Sequence, residues 1–107
     1  MRLLLDECVP RPLLRDLTSH DAHHVVDMGR SSKRNGELLK LMVAERFEAL
    51  LTVDQNLRFQ QNLRASGIGV VLVVARTNRV KELRPLMPQV LDALDRVRTG
   101  ELIKVGG

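Results

Sequence analysis

Residues 2–7 read RLLLDE, a short apolar run that ends at two acids. Residues 49–54, ALLTVD, repeat this pattern, and residues 70–74, VVLVV, form a third apolar run that is rich in valine. Strands of a parallel sheet are covered on both faces, and they therefore appear in sequence as continuous apolar runs rather than alternating ones. The three stretches predict three buried strands of such a sheet.

The segments between these strands have the spacing of amphipathic helices. Leu83, Leu86 and Val90, for example, recur every three or four residues. Pro12 suits a first helical turn, and Asn35 suits an N-cap. Helices are predicted from Pro10 to Ser19, from Asn35 to Phe47, from Leu57 to Ala65 and from Val80 to Val97, and Pro85 and Pro88 are expected to bend the last of these or delay its start. A turn is predicted at residues 20–24, with further short strands at residues 25–27 and 102–105.

Strands that alternate with helices imply a single three-layer α/β/α domain over residues 1–107, with a mostly parallel, Rossmann-like sheet. Such sheets bind ligands at the carboxyl ends of their strands, where the strand order reverses. For a strand order of 2-1-3-4, that point lies between the first and third strands. Asp6 and Asp54 follow those two strands, so we expect them to flank the ligand crevice.

A third acid, Glu37, lies in the first turn of the predicted second helix. Taken singly, Glu37 would favour the helix dipole and Asp54 would cap the following helix. Together with Asp6 they form a set of carboxylates that repel one another unless a cation neutralises them or one keeps its proton. Oxygen ligands without His or Cys favour Mg²⁺ or Mn²⁺. We therefore expect these three acids to be the catalytic residues and principal metal ligands of a phosphodiester hydrolase.

Residues next to these acids are expected to complete the site. Glu7 and Asn56 are assigned to the metal, as ligands or through bound water, and Asn35 is assigned to water or substrate. Basic side chains are expected to bind phosphates at the rim of the crevice. They are Arg30, Lys33, Arg34, Arg76 and Arg79. For any one of them, an ordinary solvated loop is the alternative.

The composition favours a polyanionic partner such as RNA. The formal net charge is +4 and the sequence pI is about 10.0, and each phosphate that a cation neutralises releases counterions. Phe47 and Phe59 are the only aromatic residues. Because bases stack on aromatic side chains in many RNA-binding modules, we expect contact between cations and the RNA backbone instead.

Other chemistries are less favoured. Cys8 is the single cysteine, which excludes an internal disulfide, and a free thiol more often packs than reacts. His20, His23 and His24 lack the partners of a zinc pattern, so structural or solvated roles are expected. The apolar stretch Met1–Leu5 is too short for a secretion signal or a membrane span, which predicts a cytoplasmic protein.

The chain resembles PIN-like domains, which are related to the VapC-type toxins of bacterial toxin–antitoxin pairs. The resemblance extends over nearly the whole chain and lies in LLDE at residues 4–7, NGELL at residues 35–39 and LTVDQN at residues 51–56. It implies a metal-dependent endoribonuclease, the toxin of a type II pair, with Mg²⁺ or Mn²⁺ as cofactor, RNA as substrate and a small antitoxin protein as partner. Asp6 matches the first acid of that family, Glu37 its helix-borne acid, and Asp54 the acid after its Thr-containing strand. The oligomeric state, including a homodimer, stays open.

Two alternatives remain. Asn56 stands where many PIN nucleases have a further aspartate, and Asn35 stands where related domains often have an acid. Because fewer charges weaken metal affinity, an inert PIN-like binding module is one alternative. The other is a receiver-like phosphoacceptor domain, which also has acids after its first and third strands. Thr77 and Lys104 would supply its hydroxyl and amine, although no proline follows Asp54 or Lys104 at the spacing of receivers.

Overall fold

The centre of the fold is one five-stranded parallel sheet. The computed structural model describes residues 1–29, 35–55 and 66–106, and for residues 35–37 it describes the backbone alone. The strands are β1 (Arg2–Leu5), β2 (Asp21–His24), β3 (Ala49–Thr52), β4 (Gly69–Val74) and β5 (Leu102–Gly106). Their order is β2-β1-β3-β4-β5, and every neighbouring pair is parallel. The predicted α/β class is confirmed, and the strand order reverses between β1 and β3.

Six helical segments lie between the strands in the residues that the structure describes. They are α1 (Asn35–Ala44), α2 (Val80–Leu83), α3 (Met87–Arg96) and three 3-10 helices at Arg11–Leu17, Val25–Met28 and Arg84–Leu86. The helix predicted from Val80 to Val97 is interrupted near the two prolines, where the chain passes through α2, a 3-10 turn and α3. Pro85 and Pro88 account for this division, since proline has no backbone N–H and its ring disfavours a continuous α-helix.

Both faces of the sheet are covered. Leu3 and Leu5 point to one face and Leu4 to the other, because successive side chains of a strand alternate. The first face packs against the 3-10 helix at residues 11–17 and against α3, in a core that includes Leu13, Leu17, Leu51, Val71, Val90 and Leu94. The second face packs against α1, in a core that includes Leu38, Met42, Phe47, Leu50 and Val70. The chain therefore has three layers, and its radius of gyration of 12.3 Å suits one compact domain of this length.

The second strand lies earlier than predicted. Residues 20–24 were expected to turn and residues 25–27 to form a strand, whereas β2 covers Asp21–His24 and pairs with β1 from Arg2↔Asp21 to Leu5↔His24. The chain then leaves the sheet in the 3-10 helix Val25–Met28, which ends at Gly29 with a φ of 67°. In the described part of the chain β2 is an edge strand, and edge strands accept polar residues. The sequence of β2, DAHH, therefore contains no apolar run that would predict a strand.

Smaller differences concern the helix ends. The first predicted helix is a 3-10 helix that ends at Leu17. Asn35 is the first residue of α1 rather than its cap, and α1 ends at Ala44, three residues before Phe47. A turn containing Arg46, which has a φ of 60°, separates the helix from that phenylalanine. The helix predicted at residues 57–65 lies outside the described residues.

Candidate active site

The carboxyl ends of three neighbouring strands open onto one cavity of about 450 Å³. Asp6 and Glu7 follow β1, Asp54 follows β3, and Arg76 follows β4. The cavity is lined by Asp6, Glu7, Cys8, Leu38, Val53, Asp54, Ala75, Arg76, Thr77 and Asn78. The structure thus brings together three of the predicted acids and one of the predicted basic residues. It does so at the position where the strand order reverses.

Asp6 is held in place by neutral hydrogen-bond donors. Its Oδ1 accepts from the backbone N–H of Glu7 at 2.9 Å, and its Oδ2 accepts from Thr52 Oγ1 at 2.9 Å. Its own backbone N–H donates to Leu51 O at 3.0 Å, which continues the ladder between β1 and β3. These bonds fix the direction of the carboxylate. Each carboxylate oxygen can accept more than one bond, so both oxygens keep capacity for a further ligand.

Thr52 connects the two strand-end acids. Its side chain is fully buried, and its hydroxyl donates to Asp6 and accepts from the backbone N–H of Asp54 at 3.1 Å. A hydroxyl that accepts from the N–H two residues later forms a local turn of a known type. That turn sets the direction in which the chain leaves β3. The geometry of Asp6 and the backbone of Asp54 therefore depend on the same oxygen atom.

The charge of Asp6 is not neutralised by a basic side chain within residues 1–29, 35–55 and 66–106. Other aspartates there do have such partners: Asp16 pairs with Arg84, Asp21 with Arg2, Asp27 with Arg11 and Asp92 with Arg96. A partly buried carboxylate that accepts only from neutral donors attracts any cation that can reach it. Asp6 faces a cavity through which a cation can reach it.

Cys8 also lies at this site, as a neutral thiol. Its Sγ is 3.6 Å from Asp6 Oδ2 and 3.6 Å from Thr52 Oγ1. Burial raises the pKa of the Cys8 thiol above its usual range, and the charge of Asp6 acts in the same direction. The reactive form of cysteine is the thiolate. A protonated thiol beside a carboxylate therefore fits the packing role expected from the sequence and opposes a nucleophilic one.

The segment after β4 forms the opposite wall of the cavity. Arg76 and Thr77 line it, and Asn78 Nδ2 donates to the backbone carbonyl of Cys8 at 3.0 Å. Arg79 is exposed and is not among the lining residues, while its backbone N–H donates to Thr77 Oγ1 at 3.2 Å. Of the two basic residues predicted here, the structure places Arg76 at the cavity and Arg79 outside it.

Several of the predicted site residues fall wholly or partly outside the described part of the chain. Arg30, Lys33, Arg34 and Asn56 lie outside the described residues, as do the side chains of Asn35 and Glu37. The backbone of Glu37 belongs to the first turn of α1, and the next residue, Leu38, lines the cavity. The start of α1 is therefore at the site.

The donor set fits a hard divalent cation. In the described ranges no group of three or more His, Cys, Asp and Glu residues is close enough to hold a metal by itself. Mg²⁺ rarely needs such a group, because it keeps several waters and is usually bound by one or two carboxylates together with substrate phosphates. Asp6 and Asp54 supply carboxylates on one cavity, and the nearby thiol is protonated. Oxygen ligation by Mg²⁺ or Mn²⁺ fits these residues better than zinc does.

The three histidines have separate surroundings. His20 Nδ1 lies 3.4 Å from the N-terminal amine, and His23 contacts Asp21 and Arg2. His24 is buried and bonds to backbone groups of the chain. They form no common metal site in the part of the chain that the structure describes.

Comparisons of the chain with protein-family models, with curated proteins and with solved structures return no match. None of the described helices is long and apolar enough to cross a membrane.

Proposed function

We propose that the chain is a metal-dependent endoribonuclease of the PIN-like type. The observation that supports this most is the Asp6 carboxylate, which is oriented by a buried hydroxyl, has no basic partner among the described residues and shares a cavity with Asp54. An oriented carboxylate of this kind is suited to holding a cation. The basic side chain of Arg76 on the same cavity suits a phosphate group.

In this proposal, Asp6 and Asp54 hold Mg²⁺ or Mn²⁺ with Glu37 as a third ligand, and Glu7 and Asn56 complete the site. The bound metal would lower the pKa of a water molecule and offset charge on the phosphate that is attacked. Thr52 keeps the oxygen atoms of Asp6 in one orientation. The RNA backbone would be bound by Arg76 and by the residues that the sequence assigns to substrate: Arg30, Lys33, Arg34, Asn35 and Arg79.

The biological setting is proposed from the resemblance to toxins of type II toxin–antitoxin pairs. It includes a cytoplasmic location, a small antitoxin protein as partner and cellular RNA as target. The net charge of +4 suits the RNA part of this proposal.

Two observations favour the receiver-like alternative and one opposes it. The strand order β2-β1-β3-β4-β5 is also that of receiver domains, and Thr77 lines the cavity as a receiver hydroxyl would. Lys104, however, lies within β5, opposite Leu72 of β4, and it does not line the cavity. The structure therefore does not place the Lys104 amine at the cavity that Asp54 lines. The nuclease proposal needs no contribution from Lys104.

The first prediction is that purified protein cleaves structured RNA with Mn²⁺ or Mg²⁺ and stops when the metal is chelated. Asp6→Asn and Asp54→Asn should each reduce the cleavage rate at least about a hundredfold, because each removes a charge that binds the metal. The measurement is the rate of RNA cleavage on denaturing gels, with circular dichroism to show that the variants fold.

Asp95→Asn is the matched control, since Asp95 is exposed on α3 and does not line the cavity. It should cleave at the parent rate. Phosphorylation of Asp54 by acetyl phosphate without any cleavage would favour the receiver instead. RNA binding with neither reaction would favour the inert module.

A further inference from the structure

His24 is the last residue of β2, and both of its ring nitrogens bond to backbone groups. The side chain is 2% exposed. Its Nε2 lies 2.7 Å from the carbonyl oxygen of Val9, and its Nδ1 lies 3.1 Å from the backbone nitrogen of Val26. A carbonyl only accepts and an amide N–H only donates, so Nε2 carries the proton and Nδ1 accepts. With both nitrogens occupied, this ring is not available as a metal ligand.

The hydrogen bond to Val9 connects His24 to the segment that contains Asp6 and Glu7. Val9 closes the turn that begins at Asp6, because its backbone N–H donates to Asp6 O at 2.9 Å, and its own side chain is 2% exposed. One residue earlier, the carbonyl of Cys8 accepts from Asn78 Nδ2 at 3.0 Å. Two successive carbonyls of residues 6–9 are thus held by side chains from two distant parts of the chain, β2 and the segment after β4. This segment is hereafter called the acid turn.

We propose that His24 is a positioning residue for the carboxylates of the acid turn. By holding the Val9 carbonyl, it fixes the far end of a short turn whose near end is fixed by β1. The backbone that carries the Asp6 and Glu7 side chains is then held at both ends. The inference rests on the proposed metal site, because an ion bound there would require these carboxylates in one geometry.

A purely local role for His24 is the competing explanation. The bond from Val26 N–H to Nδ1 spans two residues and resembles a turn made by Asn or Asp side chains. It would stabilise the start of the 3-10 helix Val25–Met28 with no effect on the acid turn. The two roles use different nitrogens, so they can be separated by substitution.

Two variants of the full chain separate them. His24→Asn places an acceptor near the position of Nδ1, so it keeps the local turn but cannot reach Val9. His24→Gln places an amide N–H near the position of Nε2, so it can reach Val9 but loses the local acceptor. Both remove the ring, and each therefore serves as the control for the other.

The measurement is the dissociation constant for Mn²⁺, followed by electron paramagnetic resonance of the free ion, with RNA cleavage and urea unfolding alongside. We expect His24→Asn to weaken Mn²⁺ binding by about tenfold, as is typical when a group that orients a ligand is lost. His24→Gln should remain within about twofold of the parent. Hydrogen exchange at the Val9 amide should accelerate in His24→Asn and stay slow in His24→Gln.

Equal Mn²⁺ affinity in the parent and His24→Asn would overturn the inference while leaving the proposed function intact. The same holds if both variants lose affinity equally, or if His24→Asn does not fold, because His24 would then be a general requirement of the core. A parent protein that neither binds Mn²⁺ nor cleaves RNA would instead contradict the proposed function itself, and this inference with it.

Discussion

At the scale of single residues, Thr52 links the two halves of the site. One hydroxyl orients the Asp6 carboxylate and accepts from the Asp54 amide. Because the side chain is fully buried, water cannot easily replace either bond. Burying a polar side chain lowers the stability of the fold unless its hydrogen bonds are made. Both hydrogen bonds of the Thr52 hydroxyl go to residues of the candidate site.

We expect Thr52→Val, which has nearly the same volume but no hydroxyl, to lower the free energy of unfolding by about 1–2 kcal/mol. It should also weaken Mn²⁺ binding, since Asp6 loses the donor that orients it. Thr52→Ser is the control: it loses a buried methyl group, which also costs about 1 kcal/mol, but keeps the hydroxyl and the metal affinity. Urea unfolding and Mn²⁺ titration measure the two effects. Unchanged Mn²⁺ affinity in Thr52→Val would show that Asp6 needs no such donor.

At the scale of elements, the edge strand β2 is attached to β1 by polar contacts as well as by its ladder. Arg2 Nη1 lies 3.0 Å from Asp21 Oδ2, and His23 Nε2 lies 2.8 Å from Asp21 Oδ1. The guanidinium of Arg2 also lies 4.5 Å from the centre of the Phe47 ring. This cluster is at the amino ends of the strands, at the other end of the sheet from the cavity that Asp6 and Asp54 line. It therefore links β2 to β1 at that end of the sheet.

The charge state of Asp21 should report this cluster. Hydrogen bonds from His23 and then Arg2 lower the pKa of the Asp21 carboxyl below its ordinary value of 3.8. A carboxyl whose pKa is lower in the folded state stabilises the fold above its unfolded pKa, and this contribution is lost as the pH falls through the folded pKa. We expect an NMR titration midpoint below 3.8, which moves up toward 3.8 in His23→Ala.

Asp21→Asn should therefore be less stable than the parent at neutral pH by a small amount, because the pair is exposed to solvent. The difference should start to shrink as the pH falls to about 4 and should vanish once the pH is below the lowered pKa of the folded Asp21 carboxyl. A parent midpoint at or above 3.8 would contradict the role given to these hydrogen bonds.

Much of the sheet was predictable from sequence, because its central strands are continuous apolar runs. The gathering of Asp6 and Asp54 was predictable for the same reason: parallel strands end at one edge. The position of β2 was not, since an edge strand needs no apolar run. The bond between His24 and Val9 was also hidden, because it forms only after β2 lies beside β1. The Thr52 hydroxyl left a weak signal, namely its place two residues before Asp54.

At the scale of the whole molecule, a protein with 17 basic and 13 acidic residues gathers three of its acids on one cavity. The positive net charge of the protein would attract the negatively charged RNA backbone. The acids of the cavity would repel the phosphates unless a cation lay between them. The proposed metal would supply that cation. Because Asp6 and Asp54 follow different strands and meet only in the folded domain, binding of the metal should stabilise the whole domain.

A ligand that binds only the folded state stabilises it according to its concentration relative to its dissociation constant. At a Mn²⁺ concentration of one hundred dissociation constants, the gain is about 2.7 kcal/mol, which raises the Tm of a domain of this size by roughly 10 °C. Thermal unfolding followed by circular dichroism, with and without Mn²⁺, measures this shift. Asp95→Asn should show the same shift as the parent, whereas Asp54→Asn should show little or none. A shift that persists in Asp54→Asn would place the ion elsewhere on the protein, because the carboxylate that β3 delivers to the cavity would then contribute nothing to its binding.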